Sequence, residues 1–184
     1  MRFRLTYEGP LRATQGEPRN GQVEPRRRAA HKHAIRKHFH KQLKELWNTD
    51  KFLKETTLPS EPGTPSWADQ APMFEVVANM YCENGYRFVP LVREGLHLLC
   101  AIDVLFLRRD IPGSVIEAGD VDNRLKTLID ALRKPRIASE LVENEIPASD
   151  EDPFYCLLED DKYVTKLSVE TDTLLDPPND DGSH

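Results

Sequence analysis

The sequence predicts a small mixed α/β (α+β) domain, helices packed on a small mixed β-sheet, and three stretches carry that prediction. Residues 96–107, Leu-His-Leu-Leu-Cys-Ala-Ile-Asp-Val-Leu-Phe-Leu, form a nearly continuous apolar run bounded by Gly95 and Pro112. Such a run, rich in strand formers, reads as a central strand covered on both faces. Leu125, Leu128, Ile129 and Leu132 fall at i, i+3, i+4 and i+7, the stripe of a helix over residues 123–133. In residues 163–171, Tyr163, Thr165, Leu167 and Val169 alternate with Val164, Lys166, Ser168 and Glu170, which is the period of a strand. A chain of 184 residues fits one domain with appendages, here residues 1–175, followed by a polar tail, 176–184, expected to be disordered.

The remaining elements follow in order. Residues 2–7 alternate polar and apolar and predict a short half-buried strand, ended by Gly9-Pro10. Residues 14–26, rich in Gly, Pro, Gln, Asn and Glu, predict a loop. A helix is expected over 27–48, because Ile35, Phe39, Leu43, Leu46 and Trp47 share one third of a helix circumference. Lys37, Lys41 and Lys44 project from its other side, flanked by His33 and His40. That basic face either tracks phosphates or is simply solvated. His31 and His38 fall on one side of the helix and His33 and His40 on the opposite one, so no three histidines converge on a metal. The prolines at 59, 62, 65 and 72 predict a loop over 57–72. Residues 73–80 fit a helix or a strand equally. Arg108 and Arg109 close the apolar strand with positive charge, and residues 134–156 form an acidic insertion before the next strand.

The net charge of −6 argues against a nucleic-acid partner, but its distribution does not. Residues 1–60 hold 14 Lys+Arg against 6 Asp+Glu, and residues 61–184 hold 11 against 25. Such asymmetry points to a basic binding surface beside an acidic region, or to two solvated faces that partly neutralise each other. The three cysteines, Cys82, Cys100 and Cys156, are far apart and form no C-x-x-C pair, so buried thiols are expected. No apolar run approaches the roughly 18–20 residues of a membrane span, and Met1-Arg-Phe-Arg does not open an apolar leader. A soluble cytoplasmic protein is the expectation.

The chemistry lies in the carboxylates. Asp120 and Asp122 stand two apart just ahead of the predicted helix. In an extended segment both would face one point, and two close carboxylates need a proton or a cation between them. Magnesium suits this, since it takes oxygen ligands and often binds one or two carboxylates plus a substrate phosphate. Asp122 also suits an N-cap. Lys126, one turn on, makes either an i, i+4 ion pair or an ammonium near a phosphate. Asp160-Asp161, by itself a common turn, could join the first pair at one edge of a sheet.

Taken together, Gly119-Asp120-Val121-Asp122-Asn123-Arg124-Leu125-Lys126, then Asp130-Ala131-Leu132, then Leu158-Glu159-Asp160-Asp161-Lys162-Tyr163-Val164 resemble the RusA-type family of Holliday junction resolvases. The resemblance covers residues 96–133 and 157–170. It implies a RusA-like fold, a homodimer, and magnesium-dependent endonucleolytic cleavage of branched DNA, four-way junctions above all, in recombination and repair, with manganese as the alternative ion. It makes Asp120, Asp122 and Asp161 metal ligands, Asp160 a neighbour that helps, Lys126 the essential lysine, and Asn123 and Asp130 supports of the site by hydrogen bonds. Lys37, Lys41, Lys44, Arg108 and Arg109 would then hold the DNA backbone. Three features depart from the family pattern: the length and acidity of residues 134–156, Tyr163 where a glutamine is usual, and the N-terminal basic helix with its flanking loops, which matches no family motif. The insertion could repel ordinary duplex DNA or contact a protein partner. A non-catalytic DNA-binding protein of the same fold, or an acidic protein-interaction module, are the readings from other classes.

Overall fold

Helix α1 (Val23–Thr49) organises the molecule, because it is buried along more of its surface than its apolar stripe predicts. The computed structural model describes residues 1–12, 23–60, 63, 65, 69–108, 120–142 and 145–175. In α1, Ile35, Phe39, Leu43 and Trp47 are buried, as their spacing predicts. Beside them runs a second buried row, Ala29, His33, Arg36 and His40. Strand β6 (Phe154–Leu158) and the segment 145–151 cover this second row, so most of the side expected to be solvated faces protein.

His40 shows how the row is made compatible with burial. Its Nδ1 accepts from the amide of Tyr155 at 2.8 Å, which leaves Nε2 to donate to the carbonyl of Asp150 at 3.0 Å. Burial lowers its pKa, and the ring stays neutral. His31 and His38 face the opposite way, against the N-terminal segment, as their spacing predicts: His31 Nε2 accepts from Arg12 N, and His38 Nε2 lies 3.0 Å from Thr6 O.

The N-terminal segment is a correction. Phe3, Leu5 and Tyr7 do alternate toward the core, yet residues 2–7 form no strand. Gln42 of α1 supplies the hydrogen bonds a neighbouring strand would give: its Oε1 accepts from Thr6 N at 2.9 Å and its Nε2 donates to Thr6 O at 2.7 Å.

After a short helix, α2 (Lys51–Glu55), the stretch expected to be a loop contains an antiparallel pair, β1 (Thr57–Pro59) and β2 (Gln70–Pro72). Residues 73–80 form helix α3 (Met73–Met80), which buries Met73, Val77 and Ala78. Then β3 (Cys82–Glu83) pairs antiparallel with β4 (Tyr86–Val92), and β4 pairs parallel with β6, Val92 lying opposite Leu158. This small mixed sheet is the heart of the core, with six of seven β4 residues and all of β6 buried. Pro90 masks β4 in the sequence, since proline suits only strand positions whose N–H needs no partner. The neighbour β3 reaches only to Arg87, so Pro90 lies beyond it. Phe154, Tyr155 and Cys156, assigned by the sequence to an acidic insertion, are core residues. Burial raises the pKa of the Cys156 thiol to about 12. All three cysteines are free.

The long apolar run behaves differently from its prediction. Its strand, β5 (Cys100–Arg108), begins four residues late, because Glu94–Leu96 form a 3-10 turn and His97 takes a left-handed conformation at φ 50°. It pairs parallel with β7 (Val164–Thr173), and among the described residues the pair is a two-stranded ribbon, not the centre of a sheet. Ile102, Val104 and Phe106 pack on the core, while Leu105 and Leu107 are more than half exposed on the outer face. The crossover between the two parallel strands contains α4 (Asp120–Leu132). Leu128 and Leu132 of its predicted stripe are buried, and Ile129 packs partly against the same core. The architecture is therefore mixed α+β, with small sheets carrying helices. Among the described residues, no helix is long and apolar enough to cross a membrane. The loops 14–26 and 134–156 lie partly, and the tail 176–184 wholly, outside the described residues.

Candidate functional site

Asp120 and Asp122 both belong to the first turn of α4. The extended geometry expected for the pair therefore does not hold, because positions two apart on a helix lie about 200° apart around its axis. Asp122 is the third residue of the helix and not its cap, in a turn where a carboxylate is favoured by the exposed amides of the helix start. The side chain of Asp120 lies outside the description. Asp122 and Lys126 are exposed, and among the described residues neither makes a hydrogen bond or an ion pair. The i, i+4 ion pair considered for Lys126 is not formed. Asn123 is half-buried. Thr127 is fully buried in the next turn and donates to the carbonyl of Arg12, fastening α4 to the N-terminal segment.

Asp160 and Asp161 follow the end of β6, where a 3-10 turn (Asp161–Tyr163) leads into β7. Asp160 caps this turn through the amide of Lys162, at 3.0 Å. The two carboxylates share one cation, the guanidinium of Arg136: Nη2 lies 2.6 Å from Asp161 Oδ1 and 3.2 Å from Asp160 Oδ2. The Lys162 amide first, and Arg136 with it, hold the Asp160 carboxyl below the usual range.

The structure sets these two groups at different ends of α4. Lys134 N, just past the helix, donates to Leu158 O at 2.9 Å, and Arg133 bridges to Leu158. The acid pair comes two residues after Leu158, beside the last turn. Asp122 is ten residues before Leu132, about 15 Å along the axis at 1.5 Å per residue. Among the described residues, no group of three or more His, Cys, Asp or Glu is placed to hold a metal ion.

Asp130 belongs to the lower end as well. Its carboxylate takes Lys32 Nζ at 3.3 Å and Arg133 Nη2 at 3.1 Å, and Arg133 also grips Glu140 with both terminal nitrogens at 2.9 Å. From α1, the buried Arg36 donates to the carbonyls of Arg133 (3.1 Å) and Asp130 (3.0 Å), satisfying the end of α4 with positive charge where the helix dipole favours it. Burial brings Arg36 down to about 10, still protonated at neutral pH. Glu140 in turn accepts from Arg136 N, so the turn that carries Arg136 is built on this network.

The basic residues read as DNA contacts are placed unevenly. Lys37 lies 2.5 Å from Glu145 and 2.9 Å from Glu151. Burial opposes its charge, but these two hydrogen bonds raise its pKa. Lys44 donates to the carbonyl of Asp150 at 2.7 Å. Only Lys41 of the three is exposed. The acidic segment therefore sits on the basic helix of the same chain. The side chain of Arg108 and all of Arg109 lie outside the description.

Sequence reasoning missed Arg136 and Arg93. Arg136 gave one signal, a cation beside Lys134 at the head of an acidic stretch. Arg93 gave none, because its burial depends on the unpredicted strand β4. No family model, no curated protein and no solved structure matches this chain.

Proposed function

We propose that this chain is a magnesium-dependent endodeoxyribonuclease that cuts branched DNA, as a homodimer, in the manner of RusA-type Holliday junction resolvases. The observation that carries the reading is the combination Asp120-x-Asp122-Asn123, Lys126, Asp130-Ala-Leu and Asp160-Asp161 in one chain. Two features of the geometry support it. Asp122 and Lys126 stand exposed one turn apart on α4 with no partner among the described residues, and Asp160 and Asp161 already converge on a single cation, the charge arrangement a divalent ion needs. Asp160 and Asp161 would hold magnesium, or manganese in its place, and Asp120 and Asp122 would join Asp161 as ligands only on a rearrangement, because α4 sets Asp122 about 15 Å away along its axis. An ion held there would supply an activated water and charge to offset the leaving oxygen. Lys126 places an ammonium beside the phosphate and stabilises the charge that develops on it. Lys41, with Arg108 and Arg109, would contact the DNA backbone.

A second reading, a junction-binding protein without catalysis, is favoured by the separation of Asp122 from the acid pair along α4 and by the arginine already seated on that pair. The two are separated by incubating the purified protein with a labelled mobile four-way junction, a flap and a linear duplex, with magnesium or with EDTA. Magnesium-dependent paired nicks in the junction, lost in Asp122→Asn, are expected. Tight junction binding with no cleavage by the wild type favours the second reading. Binding of no DNA leaves the acidic segment as a protein-interaction surface.

A further inference from the structure

The carboxyl ends of the parallel strands β4 and β6 carry a buried cation that makes no hydrogen bond or ion pair among the described residues. Arg93 is the first residue after β4, and Glu159 the first after β6, joined by the bond from Glu159 N to Val92 O at 2.9 Å. Arg93 is only 4% exposed. Among the described residues its Nε is fully buried and hydrogen-bonded to nothing, and no carboxylate comes within 4 Å of any of its nitrogens. Burial works against the Arg93 charge, Tyr81 and Glu159 favour it only from beyond ion-pair distance, and Glu159 Oε2 accepts from Glu94 N at 3.0 Å. Of the three guanidinium nitrogens, Nε is the one that is both enclosed and unbonded among the described residues. Gly95 leaves the room the guanidinium occupies, as a Cβ there would stand 2.6 Å from Nη1. A second cation is close by, the ammonium of Lys134, 5.5 Å from the ring centre of the same Tyr81.

A guanidinium so enclosed has lost most of its water, and the natural complement of two parallel N–H groups is an oxyanion. The carboxyl edge of parallel strands is also where open α/β sheets bind their ligands. We propose that Arg93 is a phosphate receptor, with Lys134 beside it, at the same sheet edge as Asp160 and Asp161. Its physiological ligand is a phosphodiester of the DNA strand presented to that acid pair. Only this choice of ligand rests on the nuclease reading; the receptor itself does not. Arg93 then fixes the register of the strand next to the acid pair, a role distinct from the charge stabilisation assigned to Lys126.

The test is a titration of the full, 15N-labelled chain with inorganic phosphate, against chloride at matched ionic strength, following the Arg93 Nε–Hε resonance, assigned by its loss in Arg93→Lys. A saturable shift with phosphate and none with chloride is expected. Gly95→Ala is the sharper variant, because the added methyl meets only the mobile end of Arg93. It should leave the fold intact by circular dichroism while weakening phosphate binding by about tenfold, the scale of one lost charge-assisted hydrogen bond. An unmoved Arg93 resonance at saturating phosphate, or unchanged affinity in both variants, overturns the proposal. Cleavage assays on the same samples keep the two readings apart. If phosphate binds through Arg93 but no DNA is cut with magnesium, the nuclease reading falls and the receptor stands. If junctions are cut and Gly95→Ala raises neither KM nor the phosphate dissociation constant, the receptor falls and the nuclease stands.

Discussion

The two ends of α4 differ in what holds them. The C-terminal end is clamped: Arg36 closes its carbonyls, Asp130, Arg133 and Glu140 form one charged network, and Arg136 reaches from the next turn to Asp160 and Asp161. The N-terminal end carries Asp122 and Lys126 with no partner among the described residues. The difference teaches that residues sharing one sequence pattern need not share one task. Asp130 belongs by pattern to the same motif as Asp122, yet its partners are structural, and its support for the first turn runs through the whole helix. Substitutions at the two ends should therefore separate stability from function, and in opposite order.

Arg36 should give the largest loss of stability. Arg36→Met keeps the volume but strips the carbonyls of Asp130 and Arg133 of their buried donor, at a cost of about 3 kcal/mol. Urea denaturation measures it, and a loss below about 1 kcal/mol would show that water takes over the helix end and that the clamp is not what fixes it.

The same network should make stability depend on pH. His33 is buried, and its pKa is lowered to about 4, first by loss of water and then by the Arg36 charge. Its Nδ1 lies 3.4 Å from Arg36 Nη1 and can only accept there, so Nε2 carries the proton toward the Tyr86 hydroxyl at 3.2 Å. Because the folded pKa lies below the unfolded value near 6.5, the unfolded chain binds more protons between them. Stability is complete above about 6.5 and falls as the pH drops toward 4, and His40, also lowered, adds in the same direction. His33→Gln should flatten that part of the profile. An unchanged slope in thermal melts from pH 7 to 4 would assign the loss to carboxylates instead.

How much of this was legible follows from where the information lies. The 3.6 period of Leu125, Leu128, Ile129 and Leu132 and of the α1 stripe is written locally, and both helices form. The strand over 164–173 is also legible, because its alternation is. Strand β4 is hidden by Pro90, whose tolerance depends on where β3 stops, and β6 by the acidic residues that precede it. The one-sided exposure of β5 depends on how many strands join it, which no property of its own residues sets. Asp120-x-Asp122 was visible as a motif, but its geometry turned on whether the helix starts before or after it. The lysines of α1 were visible as charge, while the fate of Lys37 was decided by Glu145 and Glu151, more than a hundred residues away.

Asp130→Asn should cost less than Arg36→Met, about 1–2 kcal/mol, since the amide keeps one acceptor but leaves Lys32 and Arg133 with weaker partners. Denaturation of the double variant with Lys32→Met sharpens the test. If the two losses add fully, the contact between them contributes nothing.

Arg136→Ala should stay below about 1 kcal/mol, because its ion pairs lie half in solvent. Its effect should appear in the acid pair. With the guanidinium gone, Asp160 and Asp161 lose their shared cation, and magnesium should bind several times more tightly by calorimetry. An unchanged magnesium isotherm would remove the pair from the ligand set and strengthen the binding-only reading.

Asp122→Asn should be the smallest perturbation of the fold and the largest of the activity. Its carboxylate has no partner among the described residues to lose, so its favourable place in the first turn of α4 is what is given up, about 0.5 kcal/mol. If the first turn is the working end, cleavage of a four-way junction should fall by at least about a hundredfold, as expected when a group acting in the transition state is removed, while denaturation curves nearly superimpose. A variant that loses several kcal/mol and activity together would instead make Asp122 part of the scaffold. The two ends of α4 would then be alike, and the chemistry would have to be sought at the sheet edge around Arg93, Asp160 and Asp161.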